Sequence, residues 1–318
     1  MLAIAAVALG ACVTLPSHPP PGRLVSRVAA RPQVEKIVVN AGGRDISAWV
    51  LLPEGYDAGR RYPVAVTIHN FGGDASGFVE LIDAWRLAQR DVVVISPQAG
   101  GLARDWKGPG ITLIARAVDP EGRPVDDVAA VAGVLEAARG LYSLAPDDVN
   151  VIGFSQGATM AMALTRRLDA QRPGAVRRLF LAAGSLASPP DATLAMKGTD
   201  IVAYEPGHNW PQAMADLRLG EPPERVFLPE LLRIKQCRPV PTSGAPGTPG
   251  AGRATGGAPT VADYDCPDGA RVTHILEPDG EHAWPGQDRK YDSWTGRGST
   301  SAIDFTGLIA DAIAPRRP

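Results

Sequence analysis

One stretch constrains this chain more than any other. An apolar run of strand length, Val149-Asn150-Val151-Ile152, leads into Gly153-Phe154-Ser155-Gln156-Gly157. A helical pattern through Met160, Met162, Ala163 and Leu164 follows at once. A strand-to-helix turn this tight holds its central residue in a strained backbone conformation. It needs glycines where the strand and the helix approach each other. It also presents the Ser155 hydroxyl at the carboxyl edge of a sheet, at the positive end of the helix that follows. Ser155 is therefore the candidate nucleophile. The alternative is a glycine-rich turn whose serine only caps the helix.

The remainder of the 318 residues suits that turn. Runs of strand length lie at Lys36–Asn40, Ile46–Leu52, Val64–His69, Val92–Ser96, Val149–Phe154, Arg178–Ala183, Ile201–Tyr204 and Val272–Leu276. The first two flank a five-residue turn and predict an antiparallel hairpin. The middle runs are apolar without alternation, as in parallel strands buried on both faces. Helical periods lie between them: one capped by Asp126 or Asp127 and stopping at Gly140, one after Gly157, and one from about Ser301 to Ala314. Alternating strands and helices predict an α/β fold with a doubly wound, mostly parallel sheet. Residues 34–318 are expected to form that single domain. With 45% hydrophobic residues the chain can bury a sizeable core.

Residues 1–12 read as an export signal, because the apolar run Met1–Ala11 is too short to cross a bilayer. Leu9-Gly10-Ala11-Cys12 looks like a bacterial lipoprotein box, with Cys12 as the lipidated residue. Plain secretion and a buried N-terminal helix are the other readings. The Pro-rich residues 13–33 are expected to be a tether. A net charge of −2 without a basic stripe excludes a nucleic-acid surface. The only membrane contact expected is the lipid anchor. In an exported chain Cys237 and Cys266 can pair, closing a loop around the Pro/Gly-rich insertion 241–262. Two free buried thiols are the alternative. Neither cysteine has a second ligand at metal spacing.

An acyl-transfer site needs donors for the oxyanion and a base. The Gln156 N–H is one expected donor. The other is expected from the loop after Val64–His69, Asn70-Phe71-Gly72-Gly73-Asp74, with the Phe71 N–H as candidate. Of the five histidines, only His282 follows the last strand. In the α/β-hydrolase order of nucleophile, acid and histidine, it takes the base position. His274, inside a strand, is expected to be structural.

These motifs together resemble the secreted polyhydroxyalkanoate depolymerase and feruloyl esterase group of α/β-hydrolases, over roughly residues 45–313. His69-Asn70-Phe71-Gly72-Gly73 is similar to that family's H-G-x-G-G loop, with Asn70 in place of a glycine. Trp106 lies in a loop where the family often has a tryptophan. Cys237 with Tyr264–Val272 resembles its disulfide and the approach to the last strand. Gly280–Gly286 resembles its G-H-x-W-P-G block. The resemblance implies hydrolysis of hydroxyalkanoate polymers, of feruloyl or acetyl esters of polysaccharides, or of small esters. It implies no metal or organic cofactor. Trp106, Trp210, Trp284 and Phe71 are candidates to line an aromatic cleft.

The acid position departs from the family. Laid without gaps on Ile201–Pro211, the pattern H-G-x-x-D puts Glu205-Pro206 on H-G and Asn209 on the Asp. An amide there favours the wrong imidazole tautomer, so Asn209 predicts a slow enzyme unless Glu205 supplies the charge. Asp191 and Asp200 are further candidates. Asp200 precedes its strand, which is the wrong edge of the sheet for catalysis. The expected activity is an exported serine esterase. A non-catalytic binding protein of the same fold is the alternative, and a peptidase is a lesser one.

Overall fold

The computed structural model describes residues 22–31, 33–101, 104–108, 111, 118, 122–184, 196–208, 224–241, 257–286, 301 and 303–314. The described strands are β1 (Arg23–Arg31), β2 (Val34–Ala41), β3 (Arg44–Leu51), β4 (Tyr62–Ile68), β5 (Val93–Pro97), β6 (Leu144–Phe154), β7 (Arg178–Ala182), β8 (Asp200–His208), β9 (Arg238–Pro239), β10 (Thr260–Asp265) and β11 (Arg271–Glu281). The described helices are α1 (Ala75–Leu81), α2 (Trp85–Ala88), α3 (Asp127–Leu141), α4 (Gln156–Gln171), α5 (Glu224–Lys235) and α6 (Phe305–Ile313).

The strands form one sheet in the order β1-β2-β3-β5-β4-β6-β7-β8-β11-β10-β9. From β5 to β11 the pairs are parallel; β1, β2 and β3 at one end, and β9 and β10 at the other, join antiparallel. The run of apolar residues along each central strand fills two cores at once. Val149 and Val151 of β6 face α3 and α4, while Ile152 and Phe154 face α1 and α6. Strand order reverses at β4, which lies between β5 and β6. In an open α/β sheet the crevice at such a reversal is where ligands bind, beyond the carboxyl ends of the strands.

Three boundaries differ from the sequence expectation. The tether was expected to reach residue 33, yet Arg23–Arg31 pairs with β2. Arg27 fastens that strand through two bonds to Glu35, at 2.5 and 2.7 Å, and lies over the Tyr142 ring. The insertion was expected to run to residue 262, but Thr260 already begins β10. And the strand expected over Ile201–Tyr204 continues through Glu205-Pro206-Gly207-His208 as part of β8, beside β11. Gly207 is needed there, because a Cβ on it would fall 1.9 Å from the Pro278 carbonyl oxygen. Residues 1–12, including Cys12, lie outside the described residues.

At α3 the two capping candidates divide the work. Asp126 accepts a hydrogen bond from the Ala129 N–H at 2.9 Å. Asp127 points inward instead, to Arg44 at 2.6 Å and to the Lys107 N–H at 2.8 Å. Cys237 and Cys266 form a disulfide, 29 residues apart in sequence.

Candidate active site

Ser155 sits between β6 and α4 with φ 56° and ψ −125°, a region that L residues rarely occupy. Its neighbours account for the strain. A Cβ on Gly153 would lie 2.3 Å from the Gly157 carbonyl oxygen, and one on Gly157 would lie 2.2 Å from that of Ile68. Only glycines allow this approach. The Ser155 side chain makes no capping bond to α4, although Ser155 holds the N-cap position. The capping alternative is thereby removed. The Ser155 hydroxyl lies 2.9 Å from His282 Nε2.

His282 follows β11 directly, and its ring lies against Phe154, with centroids 5.3 Å apart. Trp284, two residues on, is buried. Its indole N–H donates to Thr306 at 2.9 Å, and it meets Phe78, Phe154 and Phe305 edge-on. It therefore fixes the histidine loop from beneath and cannot line a cleft. Trp106 is fully buried too. Of the four aromatic residues expected around a cleft, Phe71 is half-buried and Trp210 lies outside the described residues.

The close contact of Gly157 with Ile68 brings the loop after β4 against the start of α4. That loop is bonded internally, from the Gly73 N–H to the Asn70 carbonyl at 3.1 Å and from the Asn70 amide to the Phe71 carbonyl at 3.0 Å. His69 anchors it. Its Nδ1 lies 2.7 Å from the Asn70 carbonyl oxygen, and its Nε2 accepts from the Ala99 N–H at 3.1 Å. One nitrogen thus donates while the other accepts, which requires a neutral ring. Burial pushes the His69 pKa down to about 4, against a smaller opposing effect of the Asn70 bond. Gln156 opens α4, so its own N–H has no acceptor within the helix. Its side chain is buried against Asp105, Trp106 and Ile111.

The acid candidates separate. Asp200 lies at the amino end of β8, where it accepts from the Arg271 N–H at 2.9 Å, far from the carboxyl edge. Glu205 does reach that edge, but its carboxylate is 2.9 Å from His274 Nε2. The expectation that Glu205 substitutes as partner of His282 is corrected accordingly. The register explains why: Glu205 pairs with Leu276, so its side chain shares the sheet face of His274. Tyr204 points to the other face, and there its hydroxyl donates to the buried carboxylate of Glu277. Burial first, and Glu277 second, raise the Tyr204 pKa above its ordinary value. Asn209 and Asp191 lie outside the described residues. The last described pair of β8 and β11 is His208 with Glu281, one residue before Asn209 and His282 respectively.

Two features had no signal in the sequence. One is the hydrogen bond between Tyr204 and Glu277, because nothing in either strand marks the pair. The other is the side chain of Gln156, which the nucleophile pattern leaves unspecified.

No protein-family model matches the chain, and no curated protein matches it in sequence. Solved structures do align with it. An acetyl xylan esterase from Aspergillus awamori aligns over 79% of this chain and 92% of its own, at 12% identity and a TM-score of 0.49. A Bacillus cereus carboxylesterase aligns over 84% and 93%, at 13% identity and a TM-score of 0.45. A thermostable esterase aligns over 64% of this chain at 16% identity and a TM-score of 0.47, and the match spans about half (52%) of that esterase. A mostly parallel sheet with antiparallel N-terminal strands, and a serine on the turn between β6 and α4, make this an α/β-hydrolase fold.

Proposed function

We propose that this chain is a serine ester hydrolase. One observation carries the reading: an uncapped, strained serine hydroxyl at the start of α4, 2.9 Å from the Nε2 of His282. A serine that only served the turn has no need of a histidine at that atom. In the reaction Ser155 Oγ attacks the ester carbonyl, and His282 Nε2 takes the hydroxyl proton. The N–H groups of Gln156 and Phe71 donate to the oxyanion. The tetrahedral adduct collapses as His282 returns the proton to the leaving alkoxide. Water, activated by the same histidine, then releases the acid. Asn209, next in sequence after the end of β8, takes the acid position and makes the enzyme slow.

The substrate classes proposed are those of the resemblance: hydroxyalkanoate polymers, feruloyl or acetyl esters of polysaccharides, and short-chain esters. Export, with Cys12 lipidated, is also part of the proposal. The disulfide supports an oxidising compartment. No helix among the described residues is long and apolar enough to cross a membrane.

A non-catalytic binding role has two departures in its favour, Glu205-Pro206 at the H-G positions and the amide at position 209. Labelling with an activated fluorophosphonate separates the two readings. The oxidised protein is expected to be labelled at Ser155 and to hydrolyse p-nitrophenyl butyrate, and Ser155→Ala is expected to do neither. Absence of both in the wild-type protein would sink the esterase reading. Comparing p-nitrophenyl butyrate with methyl ferulate and polyhydroxybutyrate then identifies the acyl class.

A further inference from the structure

The two oxyanion donors belong to different elements. The Gln156 N–H opens α4, and the Phe71 N–H lies in the loop after β4. An oxyanion hole works only if both reach one oxygen at about 2.7–3.1 Å. Some part of the structure has to fix their separation, and Arg104, Asp105, Trp106 and Ile111 between them contact both elements.

The connection begins at Gln156. Its amide oxygen accepts from the Trp106 N–H at 3.2 Å, while its amide nitrogen donates to the Trp106 carbonyl at 3.2 Å. The side chain thus pairs with one residue's backbone as a neighbouring strand would. The same nitrogen also lies 3.1 Å from the Ile111 carbonyl oxygen and against the carboxylate of Asp105, so its two hydrogens are shared among three acceptors. Gln156 and Asp105 are both almost wholly buried, at 2% and 1% exposure. The connection then crosses to the other donor's loop. The Trp106 indole N–H donates to the His69 carbonyl at 2.7 Å, and the indole lies against the imidazole at a centroid distance of 4.8 Å. The Arg104 carbonyl accepts from the Gly72 N–H at 3.4 Å, and the Arg104 guanidinium meets Asp74 at 2.7 Å. Asp127 holds the segment from behind, through the Lys107 N–H.

We propose that the Gln156 amide and the Trp106 indole are positioning residues, which set the distance between the two oxyanion donors through the segment around Trp106. The proposal rests on the esterase reading and adds to it. Gln156 has two separate duties, a backbone donor toward the substrate and a side-chain brace behind it. A mispositioned donor remains present but aims poorly, so the cost falls on the transition state rather than on substrate binding.

Two substitutions test this. Gln156→Glu keeps the shape, removes the N–H donors and sets a carboxylate against Asp105 and two carbonyl oxygens. Trp106→Phe removes one N–H and keeps an aromatic ring. Both leave the two backbone donors in the chain. Each folded variant is expected to lose about 10- to 100-fold in kcat on p-nitrophenyl butyrate with KM within about twofold. The Ki of phenylboronic acid, a tetrahedral adduct on Ser155, is expected to rise by a matching factor. A third readout needs no activity. Amide hydrogen exchange at Gly72 and Gly73 is expected to quicken at least tenfold, although both substitutions lie far away in sequence. Gln156→Met replaces Gln156→Glu if the latter does not fold. An unchanged kcat, or a lower kcat with unchanged boronate affinity, overturns the proposal. So does unchanged exchange at Gly72 and Gly73. Failure of the esterase reading looks different: the wild-type protein is then inert to ester and fluorophosphonate alike, while exchange still reports on the brace.

Discussion

Glu205 and Asn209 are four residues apart, and the proposed reaction gives them different work. The Glu205 carboxylate is bonded to His274, between β8 and β11. Glu205→Gln should therefore leave kcat within about twofold while lowering stability by about 1.5–3 kcal/mol, the usual worth of a hydrogen bond to a charged group. Denaturant melts and initial rates on p-nitrophenyl butyrate check both halves, and a tenfold loss of kcat would return Glu205 to the catalytic set. Asn209 carries the opposite expectation. A carboxylate holds the imidazole in the productive tautomer and stabilises its charged form, and loss of that carboxylate costs a serine protease about 10⁴ in turnover. Asn209→Asp should thus raise kcat by at least tenfold, with little change in KM. No gain would remove position 209 from the acid role.

Between elements, backbone contacts decide more than side chains do, and the sequence reveals such contacts unevenly. Gly153 and Gly157 could be understood from the strand-turn-helix context alone, because the pattern itself states that two elements must touch. The end of β8 could not. Glu205-Pro206-Gly207-His208 has the composition of a turn, and only the neighbouring β11 makes it a strand, with Gly207 fitted against Pro278. The same holds for β1. The prolines before it suggested a tether, whereas Arg27 finds Glu35 and Tyr142 only once β2 and α3 are in place. The contrast between glycines gives a direct test. Gly157→Ala puts a Cβ 2.2 Å from the Ile68 carbonyl oxygen and 2.5 Å from that of His69, so α4 must move from β4. It should cost at least about 2 kcal/mol, within the range of overpacking, and abolish turnover. Gly140→Ala near the end of α3 has nothing within 4 Å and should stabilise by about 0.5–1 kcal/mol. Thermal melts of the two variants shifting in the same direction would contradict this account of the close approach.

At the scale of the whole molecule, two of the described groups that titrate below neutral pH, His69 and Asp169, act on stability with opposite signs. His69 is fully buried, and its pKa falls from an ordinary 6.5 to about 4 in the folded state. The unfolded chain therefore binds a proton at His69 more readily. The contribution is complete above about pH 6.5 and is lost as the pH falls toward 4, by about 3 kcal/mol over the interval. Asp169 on α4 behaves in reverse. Burial raises its pKa from 3.8 to about 6, and the nearby N–H groups of Val176 and Ala175, with Lys235, offset this only in part. Here the folded state binds the proton more readily, so stability is gained as the pH falls from about 6 toward 3.8. Across pH 4–6 the two effects oppose each other, and these groups leave the wild-type profile nearly flat. Asp169→Asn removes that compensation and leaves the effect of His69 unopposed by it. Its denaturation midpoint should decline more steeply than that of the wild type between pH 6.5 and 4.5. Urea melts at half-unit intervals measure the slopes, and parallel profiles would show that Asp169 does not take up a proton on folding. A steeper decline in the variant would also link acid sensitivity to the loop after β4, since protonating His69 breaks its bond from the Ala99 N–H.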